Sequence, residues 1–221
     1  MNGLQLSNEQ LNRIETAKKF LWDKLESFER YKENRADLEY RYEHSLRVAH
    51  IGSEIALAEG LDVERTTIAC LLHDVGYCLN FDDIGGWQNH GRASAQIARP
   101  FLLGLGFTIY EVEEMCYGIA THVDGVADFA GTNTALSRTV GEADNIDRYD
   151  AYRIYESLQY KKFSSKSLNE KIVYAESNIK TLEELKKSDV ATETSRRMWI
   201  ERLDFQLVYF KRLLNQLKRS I

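Results

Sequence analysis

Proline is nearly missing from this chain. One residue, Pro100, is all that 221 positions contain. Alternating β-branched runs are also few, so long helices are free to form and the chain is expected to be mostly helical. Cysteine is scarce and unpatterned. Cys70, Cys78 and Cys116 show no C-x-x-C and no framework spacing. This excludes a disulfide scaffold and reads as reduced thiols in a cytoplasmic protein. No apolar run approaches the ~18 residues of a membrane helix, and Met1 to Gln5 lack the basic and apolar regions of a signal peptide. A basic excess is lacking too: 29 Lys and Arg stand against 34 Asp and Glu, a net charge of -5. Neither nucleic acid nor an anionic membrane is expected as a partner through bulk charge. What is present is 43% hydrophobic and 29% charged residues, enough for one globular core with an appended helical segment.

Ser7 and Gln10 have capping-box spacing, and Leu11, Ile14, Ala17, Leu21 and Leu25 follow on one helical face. Asn34 to Leu38 reads as a charged connection. A helix from about Tyr40 to Gly60 carries Val48, Ile51, Ile55 and Ala58 as its apolar stripe. His44 extends that stripe, whereas His50 lies off it. Gly60 suits a helix C-cap. Asp62 to His73 reads as a buried helix that delivers His73 and Asp74, and Gly76 ends it. Phe81 to Asn89 is expected to be a loop. A helix then starts at His90, with Pro100 inside it as either a kink or a boundary. Tyr110 to Thr121 leads to His122, and a loop covers Asp124 to Asn133. Leu136 to Tyr155 is expected as one helix, carrying Asp144. Ser167 to Lys187 and Thr192 to Lys218 are amphipathic and read as packing helices or a dimer contact.

Histidine is the telling residue. The chain has five, and His44, His73, His90 and His122 fall on inner faces or at helix ends. Any one of them is more readily explained as a structural histidine. Together with Asp74 and Asp144 they form a nitrogen- and oxygen-rich set without thiolate, which suits Mn, Fe, Co, Ni or Zn. Buried imidazoles and carboxylates need partners, and a metal ion is an efficient common one. Asp74 has two oxygens with which to bridge two metals, with His44 and His73 on one side and His90 and His122 on the other.

The order His44, His73-Asp74, Asp144 resembles the H…HD…D motif of the HD superfamily of metal-dependent phosphohydrolases. The resemblance spans roughly Tyr40 to Tyr155 and is most specific at Leu71-Leu72-His73-Asp74-Val75-Gly76 and Glu142-Ala143-Asp144. It implies an all-α HD-domain helical bundle over 40–160, an N-terminal helix over 1–39 packed on it, and C-terminal packing helices over 161–221. It further implies that His44, His73, Asp74 and Asp144 hold a first metal. His90 and His122 resemble the extra histidines of subgroups that bind two. Cyclic-dinucleotide phosphodiesterases of the superfamily show HDxGK, but Tyr77 stands at the lysine position here, so that activity is not assigned.

The implied activity is hydrolysis of a small nucleotide or other phosphorylated metabolite, with one or two divalent metals (Mn, Fe, Co, Ni, Mg or Zn) activating water and clamping phosphoryl oxygens. Asp74 is the central carboxylate. Arg47, Arg92 and Arg148, spaced three, two and four residues after His44, His90 and Asp144, are candidates to hold the remaining phosphates. Each has an equal reading as a surface ion pair. Asp124 and Asp147 fit solvated charges better than partners of ligand imidazoles. Two other classes compete. A minority of HD-fold proteins use such a set to hold two irons as oxygenases, and a metal-containing ligand-binding module would keep the site without turnover.

Overall fold

The computed structural model describes residues 6–81 and 84–220. Met1 to Gln5, on which the expected lack of a leader rested, lie outside that range, as do residues 82 and 83 of the expected loop. Among the described residues the fold is all-α and no strand occurs. Among the described residues no helix is long and apolar enough to cross a membrane. Two compact units divide between Asp144 and Asn145.

In the first unit, α1 (Asn8–Glu26) starts with the expected capping box and buries Ile14, Ala17, Leu21 and Leu25. The presumed connection at 34–38 is instead helical. After α2 (Glu29–Glu33), the Asn34 side chain accepts from the Asp37 amide and starts α3 (Arg35–Glu59). An Asn at the cap satisfies an orphan N–H, so the charged stretch continues as helix. Gly60 takes the left-handed conformation, φ 68°, that ends α3. α4 (Val63–Leu72), capped by Asp62, is buried along nearly its whole length. It lies against α3, and Gly52 permits the approach: a Cβ there would collide with Cys70 Sγ.

A 3-10 turn over Val75–Cys78 follows the His-Asp pair. The expected loop from Phe81 to Asn89 contains a short helix, α5 (Ile84–Gln88). α6 (His90–Gly104) runs through Pro100, whose ring is exposed, without a boundary. α7 (Ile109–Thr121) opens with a Thr108–Glu111 capping box and packs on both α4 and α6. α8 (Ala135–Arg148) brings Asp144.

The single helix expected from Leu136 to Tyr155 is two. Asp150 accepts from the Ala151 amide and starts α9 (Ala151–Tyr160), because a carboxylate at a helix start satisfies the freed N–H and favours a new helix. Arg202 holds the same carboxylate at 2.8 Å. In this second unit α10 (Leu168–Leu185) and α11 (Glu193–Lys218) pack together and bury Ile172, Ala175, Leu182, Leu203, Leu207 and Phe210. The Trp199 indole donates to Leu185 O at 3.1 Å, and the Gln206 amide to Tyr149 O at 2.8 Å.

Candidate metal centre

Helix ends build the site. His44 projects from the middle of α3, at the buried position its stripe predicts, and Asp144, buried as well, projects from α8. His73 caps the C-terminus of α4 and His122 that of α7, while His90 opens α6. A histidine at a helix C-terminus finds freed carbonyls beside it. His73 Nδ1 lies 2.7 Å from Cys70 O, and His122 Nδ1 2.7 Å from Ile119 O. His90 Nδ1 makes the same contact with Trp87 O, at 2.6 Å. A carbonyl only accepts, so each Nδ1 carries a proton. In the neutral ring each Nε2 lone pair is then free to face inward.

Those Nε2 atoms converge on two carboxylates. His44 Nε2 is 3.2 Å from Asp144 Oδ1 and 3.7 Å from Asp74 Oδ2. His73 Nε2 is 3.5 Å from Asp74 Oδ2 and 3.8 Å from Asp144 Oδ1. On the other side, His90 and His122 Nε2 lie 3.2 and 3.5 Å from Asp74 Oδ1. The two oxygens of Asp74 thus face different histidine pairs. His44, His73, Asp74, His90 and Asp144 are all 5% exposed or less, and the His122 side chain 2%.

The donor set fits a divalent cation. His73 Nε2 is fully buried with no hydrogen-bond partner, which costs free energy unless something electropositive meets it. His90 and His122 Nε2 are 3.1 Å apart. With both Nδ1 atoms protonated, two neutral rings would oppose lone pairs there, so a proton or a cation must sit among them. His44, His73 and Asp144, and likewise His73, Asp74 and His122, offer atoms all within 4.8 Å of one another.

Without metal, protons and Arg41 balance the charge. Burial alone would raise the Asp74 carboxyl, but His73, His122, His90 and Arg41 hold it well below the usual range. Burial pushes His73 down to about 4. Burial also acts to lower His122, yet its hydrogen bond to Asp74 and that carboxylate's charge raise it above the ordinary histidine value. His122 therefore keeps its proton to a higher pH than free histidine, and a metal must displace it. Metal uptake is expected to release protons into weakly buffered solution near neutral pH. Below the His122 value, apparent affinity should fall about tenfold per pH unit for each proton displaced. Calorimetry in buffers of different ionisation enthalpy checks this, and uptake without proton release would contradict it.

The arginines are placed differently from one another. Arg41, missed in the sequence reading, reaches the centre: Nη1 is 3.2 Å from Asp74 Oδ2, and the guanidinium stacks on the Tyr77 ring at 3.7 Å. The available signal was its place three residues before His44, on the same helical face. Tyr77 also lies 4.7 Å, ring to ring, from His90, and burial pushes its hydroxyl up to about 12. Arg47 is half-buried on α3, and Arg148 is exposed at the last position of α8. Arg92 turns to Asp124, at 3.0 Å, and not to the histidines. Asp124 is therefore an ion-pair partner. Asp147 is buried rather than solvated, within the second unit. His50 is a surface residue beside Glu54.

The family model described as the HD domain matches residues 41–151. Ribonuclease Y of Mycoplasma mycoides is 41% identical over 58 residues, 26% of this chain and 13% of that protein, so the match spans a small part of that relative's length. YpgQ of Bacillus subtilis, solved in complex with ADP, superposes with a TM-score of 0.62 at 19% identity, over 96% of this chain and 97% of that one. A predicted HD superfamily hydrolase from an uncultured Thermotogales bacterium gives 0.58 at 23% identity, over 90% and 91%. At these identities the likeness is one of fold.

Proposed function

The chain belongs to the HD-domain family, and from that premise we propose that it is a metal-dependent phosphohydrolase of a small nucleotide or another phosphorylated metabolite. The observation that carries the reading is the division of Asp74. Its Oδ2 faces His44 and His73, and its Oδ1 faces His90 and His122. His44, His73 and Asp144 would hold a cation on one side of Asp74, and His90 and His122 a second on the other. Bound divalent metals supply positive charge for phosphoryl oxygens and lower the pKa of a coordinated water towards neutrality. The ADP-bound relative supports a nucleotide as the substrate class.

The chain's own residues supply the rest. Three imidazoles held at Nδ1 by main-chain carbonyls keep their Nε2 atoms oriented without further reorganisation. Arg41 rests on the Tyr77 face beside Asp74, with donors to spare for phosphoryl oxygens once metals occupy the carboxylate. Arg47, three residues after His44, is the other candidate cation on α3. Arg41→Lys keeps the charge but loses the planar fork and the stacked platform. We expect it to raise KM about tenfold or more, with metal content unchanged. Steady-state kinetics alongside metal analysis checks this, and an unchanged KM would remove Arg41 from the substrate site.

The decisive experiment is metal analysis of protein purified without chelator, followed by phosphate release from nucleotides with Mn²⁺ in the absence of oxygen. Two metals per chain are expected, falling to one in the His90→Ala, His122→Ala variant. One metal, unchanged in that variant, would overturn the bridged site. The same six ligands also suit the di-iron oxygenase reading. Iron with oxygen-dependent turnover, and no anaerobic phosphate release, would replace the hydrolase with it. Intact metal sites with no turnover at all would leave a ligand-binding module.

A further inference from the structure

We propose that the Arg92–Asp124 ion pair is the positioning device for the His90–His122 half of the centre, and that Arg92 is committed to this rather than to substrate phosphate. The inference rests on the two-metal reading above. His90 and His122 come from different elements, the start of α6 and the end of α7. Gly91 lets those ends close up, and Gly76 lets the turn after Asp74 reach the first of them. A Cβ at Gly91 would lie 2.7 Å from Ala120 O and 3.1 Å from His122 Nδ1. A Cβ at Gly76 would lie 2.7 Å from His90 O. The ends touch through backbone within the packing of α6 on α7, and side chains beside the two histidines finish their alignment.

Arg92 is one of those side chains. Its Nη1 meets Asp124 Oδ1 at 3.0 Å, Asp124 Oδ2 at 3.1 Å and Val126 O at 3.0 Å, while its Nε donates to Asn89 Oδ1. The Asp124 carboxylate also accepts from the Val126 amide at 3.0 Å, which fixes the turn just after His122. Arg92 is therefore anchored on both sides: to the residue before His90, and to the turn two residues beyond His122. The same face of α6 holds the loop further along. Gln96 donates to Asp128 at 3.0 Å, and Arg99 stacks on Phe129 at 5.1 Å. Nη1 and Nε hold three of the five Arg92 donors on protein oxygens, and Asp124 matches its charge, which leaves Nη2 alone for any other anion.

The test is titration of metal-free protein with Mn²⁺, in wild type, Arg92→Gln, Asp124→Asn and the double variant. Each single variant is expected to bind the first Mn²⁺ as wild type does and the second about tenfold or more weakly, as for other groups that orient metal ligands. The double variant should be no worse than either single one, because one interaction is lost in all three. If Arg92 held substrate phosphate instead, Arg92→Gln would raise KM with both Mn²⁺ affinities intact, and Asp124→Asn would do neither; that result overturns the proposal. Equal weakening of both Mn²⁺ sites also overturns it, by making the pair a general support of the fold. Wild type that takes up two Mn²⁺ with variants indistinguishable from it sinks the latch alone. Wild type that takes up only one sinks the dinuclear reading and the latch with it.

Discussion

Asp74→Asn is expected to lose both metals and at least about a thousandfold in kcat/KM, since the charge stabilisation that metals supply amounts to several kcal/mol. Asn is close to Asp in shape, so the packing around the 5%-exposed side chain stays filled. What goes is the anion. Asp74 meets all four site histidines and Arg41. An amide cannot bridge two cations, and its NH₂ would point a donor at groups that need an acceptor. Metal analysis by mass spectrometry and turnover on the same preparation read the outcome. Helicity by circular dichroism separates site loss from unfolding. If folded Asp74→Asn still holds two metals, the bridge is elsewhere and the reading of the centre fails.

Arg13→Met is expected to destabilise the protein by about 3 kcal/mol, the lower end for leaving a buried charge without its partner. Arg13 on α1 forks onto Glu64 at the start of α4, with Nε–Oε1 at 2.5 Å and Nη2–Oε2 at 2.8 Å. The Glu64 side chain is only 4% exposed, whereas Arg13 is 25% exposed. Arg13 also reaches Glu9 at 2.8 Å and lies over the Phe107 ring. Removing the arginine strands the carboxylate in a low-dielectric position, where its charge is costly. Replacing both partners, as Arg13→Met with Glu64→Leu, should recover most of the loss, because an apolar pair of similar volume needs no compensation. Thermal unfolding of the four proteins checks this, with a shift of roughly 6–12 °C expected for the single variant. A single variant as stable as wild type would show that water reaches Glu64. Glu64 and His73 stand at opposite ends of the same helix, α4.

The burial of several site residues was readable because helical periodicity is a local property. His44 falls on the stripe of Val48, Ile51 and Ile55, and His73 and Asp74 close an apolar run, so their burial followed from spacing alone. Helix starts were readable where a capping side chain announced itself, as at Ser7. They were missed at Asn34 and Asp150, where a cap looked like an ordinary polar residue between charged neighbours. Arg41 escaped although its spacing was in view, because an arginine on a helix face is usually a solvated charge.

By itself, then, the sequence determined that the chain is helical and that His44, His73, Asp74, His90 and His122 stand on inner faces or at helix ends, where a polar group needs a partner. Those are consequences of 3.6-residue geometry and of the cost of burying unpaired polar groups. Asp144 was singled out with the family motif. The tertiary structure supplied the distances at which the four histidines divide between the two oxygens of Asp74, the division already expected from the sequence. It decided that Arg41 rather than Arg92 reaches that carboxylate, and that Arg92 is spent on Asp124, 32 residues away. Those outcomes depend on which helix ends meet. Such meetings are set by close backbone approaches, as at Gly76 and Gly91, whose partners lie far along the chain.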